Sequence, residues 1–387
     1  MALEACLIGF LALKLWLFRT PPIYGSTPDS RAAISWSLFL ALDALFIKRF
    51  IFSPGTGDVF FDHAVACNAA TTVFIGFHFL VAIPGSGLNP LLGIPVKNVP
   101  RRGLRPPCPT PKSHNKGSDL PAQLSRSAFL LQRTMHFLLN FFLLDILNTI
   151  AHRIPLLLPS SSLNPRPWRA YELPLTLLHA AMIYVGLNIM YDSYTVLSVG
   201  LGCTGVDEWP WLFGSPADAW SVKRFWGKLW HQLMRNHLTS TSTYIVESLP
   251  PPFRPASQRT KWPIQVKIIF LLSGLLHLAG EHHALRSLPG VDMSTSSILG
   301  GIFMTFALQP FGLFLEHLFC RFCRACLGHM GPPNLLEKAL GYLWVLAWFS
   351  FSMSFYTRRM MGAGFMTGWA NIPRGWSLKA ASFLLGI

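Results

Sequence analysis

Apolar stretches close to the thickness of a bilayer recur along this chain, and they constrain its fold more than any other feature. A helix needs about 20 such residues to cross the hydrocarbon core. Windows approaching that length fall at 2–18, 32–51, 61–83, 127–150, 172–199, 264–284, 296–320 and 336–356, with a shorter one at 376–387. Runs such as Ile268-Ile269-Phe270-Leu271-Leu272 are apolar on every side, whereas a transmembrane strand alternates polar and apolar residues. The expectation is an all-α protein, a polytopic transmembrane helical bundle of about eight or nine spans. It forms a single membrane-embedded domain over 1–387. Punctuation such as Arg19-Thr20-Pro21-Pro22, Pro84-Gly85-Ser86-Gly87 and Pro250-Pro251-Pro252 ends helices without breaking them. The first and last segments also fit amphipathic helices lying in the interface. Met1 to Phe18 lacks a positively charged leader and a clear small-residue cleavage site, and reads as a retained first span.

Charge supports this reading and excludes others. Asp, Glu, Lys and Arg make up 13% of the chain against 51% hydrophobic residues, about half the usual charged share. The net charge of +15 sits in short loops and at the ends of apolar segments rather than on a polar domain. That pattern excludes nucleic acid as a partner and suits membrane lipid or an anionic substrate at the membrane face. Two long loops are basic. Residues 84–126 hold Lys97, Arg101, Arg102, Arg105, Lys112 and Lys116 before the first acid, Asp119, which places this loop in the cytoplasm. Residues 203–263 hold Lys223, Arg224, Lys228, Arg235, Arg254, Arg259 and Lys261 and fall on the same side. Arg358 and Arg359 land opposite in this count and imply either a different span number or another job. Seven cysteines are scattered and make no disulfide framework.

Two stretches carry chemistry. Within 203–263 the run from Phe225 to His237 is expected to be helical, capped by Asp218 or Ser221. On such a helix Trp226, Trp230, Leu233 and His237 share an apolar side, while Lys228, His231 and Arg235 share a polar one. Imidazole takes a proton near neutral pH, and Arg offers a fixed fork for phosphate or carboxylate. The competing reading is an interfacial helix with Trp anchors and a basic rim. The second stretch, Ser273 to His283, lies late in a span. His277 and Glu281 are four apart and share a face, with Ser273 one turn earlier. A histidine among leucines in a span faces the bundle interior, as a functional group or as a packed structural one. Glu281-His282-His283 lacks the zincin order of ligands. Cys320, Cys323, Cys326 and His329 recur every third residue, a spacing open to a metal knot or to reduced or lipidated cysteines at a membrane edge. No metal site is assigned, and no P-loop, dinucleotide fingerprint or nucleophile elbow is present.

The stretch Pro210-Trp211-Leu212-Phe213-Gly214-Ser215-Pro216, then Ala219-Trp220-Ser221, Phe225-Trp226-Gly227 and Trp230-His231-Gln232 to Arg235, resembles the fungal wax-synthase-like acyltransferases. These are grouped with the membrane-bound O-acyltransferases, and several members acetylate terpenoid or meroterpenoid alcohols. Ser273-Gly274-Leu275-Leu276-His277 is similar to their second motif, the intramembrane histidine. The resemblance implies acyl transfer, most simply acetyl from acetyl-CoA, to a hydroxyl of a lipophilic alcohol. Long-chain wax-ester synthesis from fatty acyl-CoA is the alternative within the family, and a polytopic transporter or a non-catalytic scaffold the alternative outside it. The resemblance also implies a multi-pass protein of the endoplasmic reticulum, with acyl-CoA as co-substrate and no bound cofactor. His277 is then the general base, and His231 the residue that orients the reactants or stabilises the oxyanion. Lys228 and Arg235 would meet the CoA phosphates, and Trp230, Gln232 and Asn236 complete the expected substrate-binding set.

Overall fold

The computed structural model describes residues 55–77, 125–153, 172–286, 288–327 and 333–365, with four isolated positions between 41 and 48. Among the described residues all regular structure is helical. The long elements are α1 (Val59–Phe77), α2 (Arg126–Arg153), α3 (Glu172–Gly200), α4 (Arg235–Glu247), α5 (Gln258–Leu285), α6 (Met304–Leu327), α7 (Leu335–Ser352) and α8 (Ser354–Gly362). Local chemistry sets several ends. Asp62 accepts the Thr56 N–H at 2.9 Å beside the start of α1. Ser257 accepts the Thr260 N–H at 3.3 Å to begin α5. Asn334 and Glu337 cap each other's backbone to begin α7, a reciprocal arrangement that satisfies two otherwise orphaned donors.

The helices are solvated inside out. On α2 the exposed side carries Leu131, Met135, Leu138, Phe142, Ile146 and Ile150, while Arg133, Asn140, Asp145 and Asn148 are buried. Water would reverse that pattern. Lipid favours it, because apolar side chains cost nothing there and polar ones must find partners inside. Four described helices are long and apolar enough to cross a membrane, and a fifth span forms if α7 and α8 count as one, bent by 51°. These correspond to the windows expected at 127–150, 172–199, 264–284, 296–320 and 336–356. Helix α1 covers the first part of 61–83. The expected segments at 2–18 and 376–387, most of 32–51, and all but the last two residues of the 84–126 loop lie outside the described residues.

Three antiparallel pairings frame the interior. Arg126 Nε donates to the Val199 carbonyl at 3.0 Å and Arg133 pairs with Asp192 at 3.2 Å, so α2 and α3 run in opposite directions. Helix α1 lies against α5, with the Cys67 sulfur 3.9 Å from the Leu276 carbonyl. Helix α6 meets α7 through Gln309, whose Oε1 accepts from Trp348 Nε1 at 3.1 Å and whose Nε2 donates to Ser352 Oγ at 3.2 Å. One apolar cluster, with Met182 and Val185 of α3, Phe270 and Leu285 of α5, Phe306 of α6 and Tyr356 and Met360 of α8, ties these pairs together.

Arg359 has an internal job. Its Nε lies 2.8 Å from Glu281 Oε1, both groups being buried, and its Nη2 donates to the Asp292 carbonyl at 2.9 Å. Glu281 Oε2 also accepts the Ile302 N–H at 2.7 Å, at the π-helical turn 299–303 where Gly301 departs from helical geometry. A buried arginine paired in this way says nothing about sidedness, so Arg359 leaves the loop-charge count while Arg358 stays in it.

Candidate active site

The run 225–237 is not the single helix expected from its periodicity. Ser221 does cap a turn, accepting the Arg224 N–H at 3.1 Å, and that turn is also capped by Glu316 of α6, which accepts the Val222 N–H at 2.7 Å. Residues 225–229 then form a π-turn, and Trp230 is extended at φ −66°, ψ 149°. Helix resumes only at Arg235. The break has a physical cause. The Leu229 carbonyl, which a continuous helix would offer to residue 233, instead accepts the Gly214 N–H at 2.9 Å. Only glycine permits that approach, because a Cβ at 214 would come within 2.0 Å of the Lys228 oxygen. Lys228, His231 and Arg235 therefore do not line up on one helical face.

They nonetheless reach one place. His231, His277, Lys228, Arg235, Trp230, Gln232 and Asn236 all line a single cavity of about 1490 Å³. The strap before the motif is held from outside. Buried Arg133 donates to the carbonyls of Trp209 at 2.6 Å and Pro210 at 3.1 Å, and its guanidinium lies 4.1 Å from the Trp211 ring centre. Asp192 bridges Arg133 to His136, whose Nδ1 donates to Asp192 Oδ2 at 2.5 Å. From this anchored strap Phe213 packs edge-on against Trp230 and His231, with ring centres 5.4 and 5.9 Å apart. On the other side Trp226 Nε1 donates to Gln309 Oε1 at 3.1 Å and its ring meets Phe270. His231 is thus seated between the α2–α3 pair and the bundle interior.

His277 Nδ1 lies 2.8 Å from the Ser273 carbonyl, and its ring stacks on Phe306 with centres 4.5 Å apart. A carbonyl only accepts, so Nδ1 carries the proton and the neutral ring keeps Nε2 as its basic nitrogen. Burial pushes His231 down to about 3, with the nearby His277 charge as the second cause, so His231 is neutral throughout the physiological range. Its buried Nδ1 has no hydrogen-bond partner among the described residues. An imidazole held as the Nδ1–H tautomer, with Nε2 left to accept a proton, and a neutral imidazole able to donate line the same cavity, which suits a reaction in which a hydroxyl loses a proton and an oxyanion develops.

The mouth is basic. Lys223, Arg224, Lys228 and Arg235 border the cavity. Arg224 pairs with Asp218, and Lys228 lies 3.9 Å from the same carboxylate. Arg235 is exposed, and its Nη1 donates to the Gly227 carbonyl at 3.1 Å and to Gln232 Oε1 at 2.9 Å. Gln232 in turn donates to the Trp226 carbonyl at 3.3 Å. Arg235 and Gln232 therefore brace the broken segment as well as lining the cavity. Glu281 is engaged by Arg359 and Ile302, and among the described residues no group of three metal-ligating side chains converges. Cys320 and Cys326 are exposed near the end of α6, while His329 lies outside the described residues.

Sequence reasoning passed over a second polar row. His63, Asn68 and Thr71 of α1 and Tyr356 of α8 also line the cavity. The signal for the first two was available, since polar groups within an apolar span are suspect by the same rule that singled out His277. Nothing in the sequence linked His63 to Tyr356, whose hydroxyl lies 3.5 Å from His63 Nε2 although the two are 293 residues apart.

Comparison with known proteins places the chain among acyl-transferring relatives at the level of sequence. Residues 209–305, which include both candidate histidines, match the model of the membrane bound O-acyl transferase family. The chain is similar to acetyltransferase spyB of Aspergillus fumigatus, 27% identical over 59% of this chain and 40% of that protein. It is likewise similar to acetyltransferase eriL of Hericium erinaceus, 27% identical over 60% of this chain and 57% of that protein. O-Mevalon transferase yanI of Aspergillus niger is 29% identical over 44% of this chain and 41% of its own length. The chain spans about half the length of the curated relatives it matches. No solved structure matches it. At moderate identity, this chain is similar to fungal acetyltransferases, and its residues 209–305 match the membrane bound O-acyl transferase family model.

Proposed function

We propose that this protein transfers an acyl group, in the first instance acetyl, from a CoA thioester to the hydroxyl of a lipophilic terpenoid or meroterpenoid alcohol. The observation that carries the reading is the fixed tautomer of His277, held by Ser273 beside neutral His231 in a cavity that opens through basic side chains. His277 Nε2 takes the hydroxyl proton as the alcohol oxygen attacks the thioester carbonyl carbon. His231 donates to the oxygen that becomes negative. Collapse of the tetrahedral intermediate breaks the C–S bond, and His277 returns its proton to the departing thiolate. The products are the ester and free CoA. Exposed Arg235 and Lys228 face the negatively charged donor, with Arg the stronger partner for a phosphate. The apolar wall takes the alcohol, which enters from the bilayer, the endoplasmic reticulum membrane being the expected location.

The names of the relatives differ in the group carried, acetyl for some and mevalon for another, and the donor is tested directly. Purified protein offered acetyl-CoA with and without a lipophilic alcohol should release thiol only when both are present, with the acetyl ester detected by mass spectrometry. A transporter or scaffold would give no alcohol-dependent thiol.

A further inference from the structure

Helix α1 turns a polar face toward the cavity. His63, Cys67, Asn68 and Thr71, spaced as one helical side, all line it. This face runs beside the part of α5 that carries His277. The Cys67 sulfur lies against the Leu276 carbonyl, and a Cβ at Gly280 would come 2.9 Å from His63 Nδ1. Polar atoms are costly in a span unless they have partners. Thr71 is satisfied by the Cys67 carbonyl at 2.8 Å, and among the described residues His63 Nε2 makes long contacts, 3.5 Å to both Cys67 Sγ and Tyr356 Oη. Asn68 has a buried Oδ1 with no hydrogen-bond partner among the described residues. A polar, under-satisfied row beside the reacting histidine is what a site shaped for a second oxygen on its ligand presents.

We propose that Asn68, with His63 and Tyr356, forms a polar subsite that binds a second oxygen function of the acceptor, so that the preferred substrate is a diol or keto-alcohol rather than a simple fatty alcohol. This rests on the acyl-transfer reading only for the identity of the bound molecule as the acceptor. A site built to hydrogen-bond a hydroxyl rejects the analogue lacking it, because its own groups are left unpaired.

The test uses the 387-residue chain in detergent and a panel of rigid alicyclic diols that differ in hydroxyl separation, each with its matched mono-ols. Ligand-induced thermal shifts give affinities without turnover, and thiol release from acetyl-CoA gives kcat/KM. The best diol should bind at least about fivefold tighter than its mono-ol, the effect of one or two hydrogen bonds. Asn68→Leu should bring that ratio to within about twofold. Tyr356→Phe, which removes one oxygen and keeps the ring, should narrow it too and serves if the leucine variant does not fold. Equal affinities for diols and mono-ols in the wild type, or a ratio that neither variant changes, overturn the subsite. Thiol release that ignores the second hydroxyl refutes the subsite alone. Diol preference in binding with no thiol release refutes acyl transfer and leaves the subsite standing.

Discussion

Replacing Arg359 with Met tests whether the buried pair with Glu281 fixes α8 against α5. The substitution keeps an unbranched apolar chain but removes the 2.8 Å contact to Glu281 and the donors to the Ser297 and Asp292 carbonyls. Glu281 is then left with the Ile302 N–H as its partner in a site shielded from water. Losing one member of a buried pair costs about 3–5 kcal/mol, mostly because the other charge is stranded. At about 2 °C per kcal/mol for a chain longer than 150 residues, the melting temperature should fall by about 6–10 °C. The double variant Glu281→Met with Arg359→Met removes both charges and should recover most of that loss, since well-packed apolar replacements of a buried pair are often neutral. The assay is thermal unfolding of the four proteins of the cycle in one detergent, with the coupling energy taken from their differences. Glu281 lies one turn beyond His277, so the single variant should also lose turnover and the double variant regain part of it. A loss under about 1 kcal/mol for Arg359→Met, or a double variant as unstable as the single one, would refute the reasoning.

His277→Ala should lower kcat by at least about a hundredfold with expression and folding preserved, as expected for a general base; a variant retaining more than about a tenth of the rate sinks that role. Arg235→Ala should reduce kcat/KM for acyl-CoA about ten- to a hundredfold, with a smaller effect on a truncated thioester lacking the nucleotide. Equal losses on both donors would mean that Arg235 only braces Gly227 and Gln232. His231 gives a pH signature. Its pKa falls from 6.5 in the unfolded chain to about 3 in the folded one, so between these values the unfolded state binds the extra proton and stability declines as pH falls. His231→Phe should flatten the fall in melting temperature between pH 6.5 and 4, and an unchanged profile in that variant would show that other groups set it.

The parts of this protein fixed by local chemistry were legible in its sequence. Long apolar runs dictated helices, because lipid leaves the backbone no other partner, and α2, α3 and α5 follow the expected windows closely. An ionisable side chain amid leucines marked His277, because its burial there requires a purpose. The motif from Pro210 onward carried a family resemblance, and a family model matches over 209–305. Periodicity failed within that motif. Whether Phe225–His237 stays helical depends on who takes the Leu229 carbonyl, and the taker, Gly214, arrives from another part of the chain. Arg359 looked like a loop charge until Glu281, from a different helix, was seen beside it. His63, Asn68 and Tyr356 were visible as residues but not as neighbours. Local propensity and solvent preference act over a few residues and are written in the sequence. Which distant donor meets which acceptor is decided only when the helices pack.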